Sequence, residues 1–245
     1  TSSFELSLDS QIFNASNSPL KPAVINAEWV GISGLDFDSQ GNLWMANSRN
    51  PNAIAVYTAD GEWMSYNFSS VLNDEITEKI MVAESGYKWV IIPGQKGILV
   101  FDDGQTITDV SDDQFRFLNG GAGSGGLPSN SVLSMAQDLD GEIWVGTSEG
   151  VGVFYSPGSV FSEGINFDAQ QIIVEVDGYF QYLLGTESVT AIAVDGADRK
   201  WLGTEGSGVF LMSADGTNEL YHFTIDNSPL ISNNIRRIAI NSVTG

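Results

Sequence analysis

Residues 138–150 read DLDGEIWVGTSEG: three carboxylates within five residues, then an abrupt apolar run carrying a tryptophan. A stretch like this is either a metal-binding or catalytic loop, or a turn between two strands. Its recurrence decides between the two. Residues 36–48 read DFDSQGNLWMANS, residues 84–94 read ESGYKWVIIPG, and residues 195–208 read DGADRKWLGTEGSG. Trp44, Trp89, Trp144 and Trp201 fall at intervals of 45, 55 and 57 residues. A short apolar segment precedes each turn (ISGLDF, EKIMVA, SVLSMA, VTAIAV). A second apolar run follows each tryptophan, then a glycine-containing loop and a third run (IAVYT, GILVF, VGVFYS, GVFLMS).

A second ruler has the same period. FNASNSPL at 13–20 and FTIDNSPL at 223–230 share Phe-x-x-x-Asn-Ser-Pro-Leu, and LPSN at 127–130 echoes LISN at 230–233. Leu20, Leu127 and Leu230 are therefore equivalent, 107 and 103 residues apart, two repeats at each step. Repeats of about 50 residues with about four short β runs each are the signature of a β-propeller. The expected fold is all-β. The acidic cluster then occupies the turn between the first two strands of a blade, where Asp and Gly suit the backbone. Each tryptophan becomes a packing residue between blades, expected to be largely buried.

Metal and catalytic alternatives fit the turns poorly. A calcium loop started at Asp36 and continued through Asp38, Gln40, Gly41 and Asn42 reaches its twelfth position at Asn47, where a bidentate Glu is needed. A sialidase-type Asp-box lacks its Ser and Thr, and five arginines in all leave little for an arginine cluster. The chain has no cysteine and one histidine, His222, so no zinc site is expected. No cofactor is expected.

Thirty-one acidic residues against ten basic ones give a formal charge of −21. Long-range repulsion from this charge makes nucleic acid an unexpected partner. No apolar run approaches the ~18–20 residues of a membrane span.

LPSNSVLSMAQDLDGEIWVGTSEGVGVF (127–154) closely resembles the two-component regulator propeller repeat. The fourth repeat, with WLGTEGSGVF, is similar, whereas the first two keep the turn and Trp but lose Gly-Thr (WMANS, WVIIP). Such repeats build periplasmic sensor propellers of hybrid histidine kinases and PorZ-like surface propellers of type IX secretion. GYKWVIIPGQKGILVFDDG, QQIIVEVDGYFQYLL and HFTIDNSPLISNNI look more similar to the PorZ-like group. The resemblance implies a non-enzymatic, extracytoplasmic binding module, in the periplasm or on the outer surface. Its implied partners are other envelope or secretion proteins or surface glycan. The alternative is oligosaccharide sensing in a hybrid regulator, and a third, from another class, is a metal-dependent lactonase or lyase propeller.

Blades are expected at about 29–70, 76–118, 130–185 and 189–226, with partial blades at 3–18 and 234–245, the whole an excerpt of a larger array. The segment 234–241 is expected as the first strand of a further blade. An insertion is expected in the third blade, because Val153 to Asp177 spans 24 residues and the corresponding step Val209 to Asp215 spans 6. Loops between second and third strands, with the interblade connections, should gather at one end of the channel. The candidate ligand-binding residues there are Asn47, Arg49, Gln95, Lys96, Thr147, Glu149, Thr204, Glu205 and Asn227.

Overall fold

The computed structural model describes residues 12–176 and 178–241. All the regular structure is antiparallel β, apart from one 3₁₀ turn at Pro157–Ser159. The first sheet holds β1 (Gly31–Phe37), β2 (Leu43–Ser48), β3 (Ile54–Tyr57) and β4 (Trp63–Tyr66), in that spatial order. The second holds β5 (Ile80–Val82), β6 (Lys88–Ile92), β7 (Gly97–Asp102) and β8 (Gln114–Leu118). The third has three strands, β9 (Val132–Gln137), β10 (Ile143–Thr147) and β11 (Gly150–Phe154), and a separate hairpin follows, β12 (Ile173–Val176) with β13 (Tyr179–Tyr182). The fourth sheet holds β14 (Val189–Val194), β15 (Lys200–Thr204), β16 (Val209–Met212) and β17 (Glu219–Phe223).

Why the second strands carry continuous apolar runs is now clear. Every residue of β6 and β10 is buried, because each sheet is covered on both faces by its neighbours. The core is accordingly not one cluster but a series between sheets. Trp44, Val56 and Tyr66 of the first sheet pack with Val90, Leu99 and Phe101 of the second. Trp89 and Ile98 pack with Met135, Ile143 and Val145. Trp144 and Val153 pack with Ile192, Leu202 and Phe210. Sheets stacked face to face in sequence order form a β-propeller. Trp44, Trp89 and Trp144 are buried as expected, but Trp201 is only partly so.

The expected strand 234–241 has no strand pairing among the described residues. It nevertheless holds an inner-strand position. Gly208 N donates to Asn233 O at 2.9 Å, as Gly150 N donates to Glu187 O at 3.0 Å one sheet earlier. Ile235 and Ile238 pack on Ala191, Val209 and Trp201. At the other end, residues 3–11 of the proposed N-terminal partial blade lie outside the described residues. Phe13 packs on Tyr57 and Trp63.

The third-blade insertion takes a different form from the expected one. Val153 of β11 bridges Gln170, so the segment around 170 takes the fourth-strand place. Gly178 does not lead into a strand paired with β11. It precedes β13 of the separate hairpin β12–β13.

Candidate functional site

Antiparallel pairing puts the turns of each blade at opposite ends. The turns between first and second strands, and between third and fourth, share one end. The turns between second and third strands share the other with the interblade connections.

At the first end the opening carboxylate is structural. Asp138 Oδ1 accepts the N–H of Asp140 and of Glu142, and Oδ2 accepts Trp144 Nε1 at 2.8 Å. Asp38 and Asp195 repeat this latch, accepting Trp44 Nε1 at 2.9 Å and Trp201 Nε1 at 3.0 Å. Their carboxyls are held below the usual range because these donated hydrogen bonds outweigh the opposing effect of burial. In the second blade Ala83 stands at the Asp position, and buried Trp89 Nε1 has no partner. No group of three or more Asp, Glu or His side chains among the described residues is placed to hold a metal.

At the other end, the nine predicted residues divide. Asn47, Thr147 and Thr204 are fully buried. Asn47 clamps the incoming chain through Lys21 N and O. Thr147 Oγ1 donates to Gly150 O, and Thr204 Oγ1 to Gly208 O, closing equivalent turns. Asn227 is exposed, but it locks its own loop: its Oδ1 accepts Thr224 N, and its Nδ2 donates to His222 O, each at 2.8 Å. Asn17 makes the same two bonds, to Asn14 N and Ile12 O. In these four residues the polar atoms are engaged in closing turns or holding the backbone.

Gln95, Glu149 and Glu205 are exposed on the rim, with Arg49 partly buried beside them. Arg49 and Gln95 both sit in the left-handed region, φ 61° and 65°, which costs a non-glycine residue about 1 kcal/mol or more. Lys96 is exposed but already paired with Glu75, whose carboxyl it holds below the usual range. Arg49 and Glu75 also meet across the blade boundary, through the bond from Arg49 N to Glu75 O.

Residues 126–149 match the family model described as two component regulator propeller. The chain is 30% identical to the structure of PorZ, a bacterial surface component of the type-IX secretion system of Porphyromonas gingivalis, with a TM-score of 0.82. That match covers 94% of this chain and 32% of PorZ. The chain carries a two-component regulator propeller repeat at residues 126–149 and has the propeller fold of PorZ. The extracellular domain of a hybrid two component system from B. thetaiotaomicron is 18% identical, with a TM-score of 0.54, over 87% of this chain and 24% of that one, a likeness of fold alone. A streptogramin B lyase structure is 12% identical over 78% of this chain, with a TM-score of 0.48. No curated protein sequence matches. The chain thus spans about a third of PorZ and about a quarter of the hybrid-system domain. No helix among the described residues is long and apolar enough to cross a membrane.

Two features of this propeller escaped the sequence. The first is the channel. Inner strands β1, β5, β9 and β14 and the segment at 237–238 surround a cavity of about 420 Å³, whose charged lining is Glu78, Lys79 and Arg237. The Lys79 stem is exposed, while its ammonium turns inward and donates to Met135 O at 2.6 Å. Burial pushes its pKa down; Asp36 opposes that shift and Arg237 adds to it. Both cations sit just inside the rim end, because inner strands begin there.

The second is a pair of buried lysines directly before the tryptophans. Lys88 lies 3.9 Å from the ring centre of Trp44 in the preceding blade and pairs with Asp103 at 2.6 Å. Lys200 stacks on Trp144 and pairs with Asp138 at 3.0 Å and Asp198 at 2.9 Å, completely buried. Where the preceding blade has the Asp latch, a lysine covers it. Where it has Ala83, buried Ile143 takes that position.

Proposed function

We propose that this propeller is a non-catalytic binding module of a cell-envelope protein, working as PorZ-like propellers do outside the cytoplasm, where it docks secretion components or surface glycan at the rim end of its channel. The similarity to PorZ along 94% of the chain carries the proposal. The charge distribution supports the choice of end. Asp60, Asp112, Asp140 and Asp215 lie on turns of the latch end, whereas Arg49, Lys79 and Arg237 gather at the rim and channel mouth, in company with Glu75, Glu149 and Glu205. On a molecule of charge −21, an anionic ligand meets long-range repulsion that only local cations offset.

Envelope polysaccharide from the source organism, titrated calorimetrically into the purified chain, tests this. Arg49→Glu with Lys79→Glu should abolish binding while the melting temperature stays within a few degrees. Unchanged affinity in the folded double variant at low and physiological salt sinks the rim. The oligosaccharide-sensing alternative draws on the repeat family itself, and it differs in its cellular readout. Carried into the full-length protein, the double variant should impair secretion or glycan attachment under the first proposal, and a transcriptional response to sugar under the second.

A further inference from the structure

Hairpin β12–β13 pairs with itself and with no third strand among the described residues. Such two-stranded ribbons are marginally stable in water. This one is anchored where buried Val174 and Leu183 join the core between the third and fourth sheets. Beyond that anchor it presents Ile173, Val176, Tyr179, Phe180 and Tyr182, each between 46% and 78% exposed. Single exposed apolar residues are ordinary, but the strand register sets Ile173 beside Tyr182, with Phe180 on the same face and Val176 and Tyr179 on the other, an apolar group of the kind that marks an interaction site.

A cleft of about 720 Å³ lies between the ribbon and the outer strands of the fourth sheet. Val174, Leu183, Phe210 and Met212 give it an apolar lining. Its charged lining is Glu175, Glu187 and Glu219, with no Lys, Arg or His. We propose that this cleft receives an extended segment of a partner protein, with apolar side chains entering the cleft and Lys or Arg flanking them. Three carboxylates around an apolar trough attract cations locally, and the −21 field of the whole chain does so at long range. A strand without a third neighbour offers backbone groups to an extended chain, and alternate side chains of that chain then point into the trough. A second copy of this protein brings the same carboxylates and the same net charge, so it is repelled. The surface is separate from the channel mouth, and a failure of glycan binding there leaves this inference untouched.

Two capped decapeptides, one alternating Val and Lys and the other Val and Glu, are titrated into the whole chain by fluorescence anisotropy. The Val/Lys peptide should bind at least tenfold more tightly. Glu175→Lys with Glu219→Lys should weaken it at least tenfold, and so should Phe180→Ser. All three positions are solvent-facing, so these variants are expected to stay folded, which thermal melting checks. Amide shifts confined to 173–185 and 209–219 would place the peptide in the cleft. Equal binding of the two peptides, binding of neither, or full binding to the charge-reversed protein would overturn the proposal. So would sedimentation showing that Phe180 instead mediates self-association.

Discussion

The Asp138–Lys200 pair can be removed in a way the protein itself suggests. Asp138 has four partners: the N–H groups of Asp140 and Glu142, Trp144 Nε1, and Lys200 Nζ at 3.0 Å. Both side chains are almost entirely out of water, at 1% and 0% exposure. Removing one member of such a pair costs about 3–5 kcal/mol, because the other charge stays buried and uncompensated. Asp138→Ala alone should fall in that range, with Lys200 retaining Asp198 at 2.9 Å. Lys200→Ile alone should cost a similar amount, since Asp138 and Asp198 then lose their common cation. The double variant Asp138→Ala, Lys200→Ile recreates the arrangement at Ala83, Trp89 and Ile143, which this fold already accommodates one blade earlier. It should lie within about 2 kcal/mol of the parent, a coupling of about 4 kcal/mol or more, beyond the usual range for neighbouring residues. At about 2–4 °C per kcal/mol for a chain this size, each single variant should melt about 6–20 °C lower. Urea unfolding followed by tryptophan fluorescence and far-ultraviolet dichroism measures all four corners of the cycle. Additive single effects, or an Asp138→Ala variant within about 1 kcal/mol of the parent, would refute the charge-matched contact.

The neighbouring positions give further tests. Trp144→Ala should cost about 3–5 kcal/mol, as large core truncations do, and Trp201→Ala clearly less, because Trp201 is partly exposed whereas Trp144 is buried beneath Lys200; equal losses in chemical denaturation would count against that. Asp140→Asn and Glu142→Gln should each change stability by no more than about 0.5 kcal/mol, with or without calcium, and a large calcium-dependent effect would reinstate the metal loop. Gly208 has φ 84°, and an added Cβ would lie 2.1 Å from Phe223 O, so Gly208→Ala should destabilise by more than about 1 kcal/mol, opposite in sign to the same change in an unstrained helix or strand; a neutral result in the same melts refutes the close approach. Burial, then the charges of Asp103 and Asp112, raise the Asp113 carboxyl to about 6. A raised folded-state value means its favourable contribution is complete below 3.8 and is lost as pH rises through about 6. Asp113→Asn should therefore gain stability over the parent at pH 7.5 and lose that advantage by pH 4. A difference independent of pH would show that the carboxyl is not the cause.

Sequence was sufficient for the repeat, the strand order within each blade and the role of the opening turn. Those features depend on neighbours close in the chain: alternation of apolar runs, Asp and Gly in a tight turn, a tryptophan six residues after its Asp. The Asn-Ser-Pro-Leu loops at 17–20 and 227–230 show the same locality, since each Asn bonds within five residues of itself. That locality also bears on the candidate site residues. Thr147 and Thr204 recur because each closes its own turn, and a polar side chain that recurs in a loop looks the same in sequence whether it faces solvent or is consumed by the backbone. Only the tertiary structure decided which distant residues meet. Lys88 and Lys200 look like surface charges beside a tryptophan, and their burial exists only once the preceding blade stacks its own Trp and acidic turn against them. Lys79 and Arg237 are 158 residues apart and share a cavity because the propeller curls its inner strands around one axis. Asp177-Gly178 matches Asp215-Gly216 in sequence, yet Gly178 leads into a hairpin that pairs with no other strand among the described residues, whereas Gly216 lies between two paired strands of the fourth sheet. Turn chemistry specifies how a chain reverses, but the strand it then pairs with is set by which edge is open beside it.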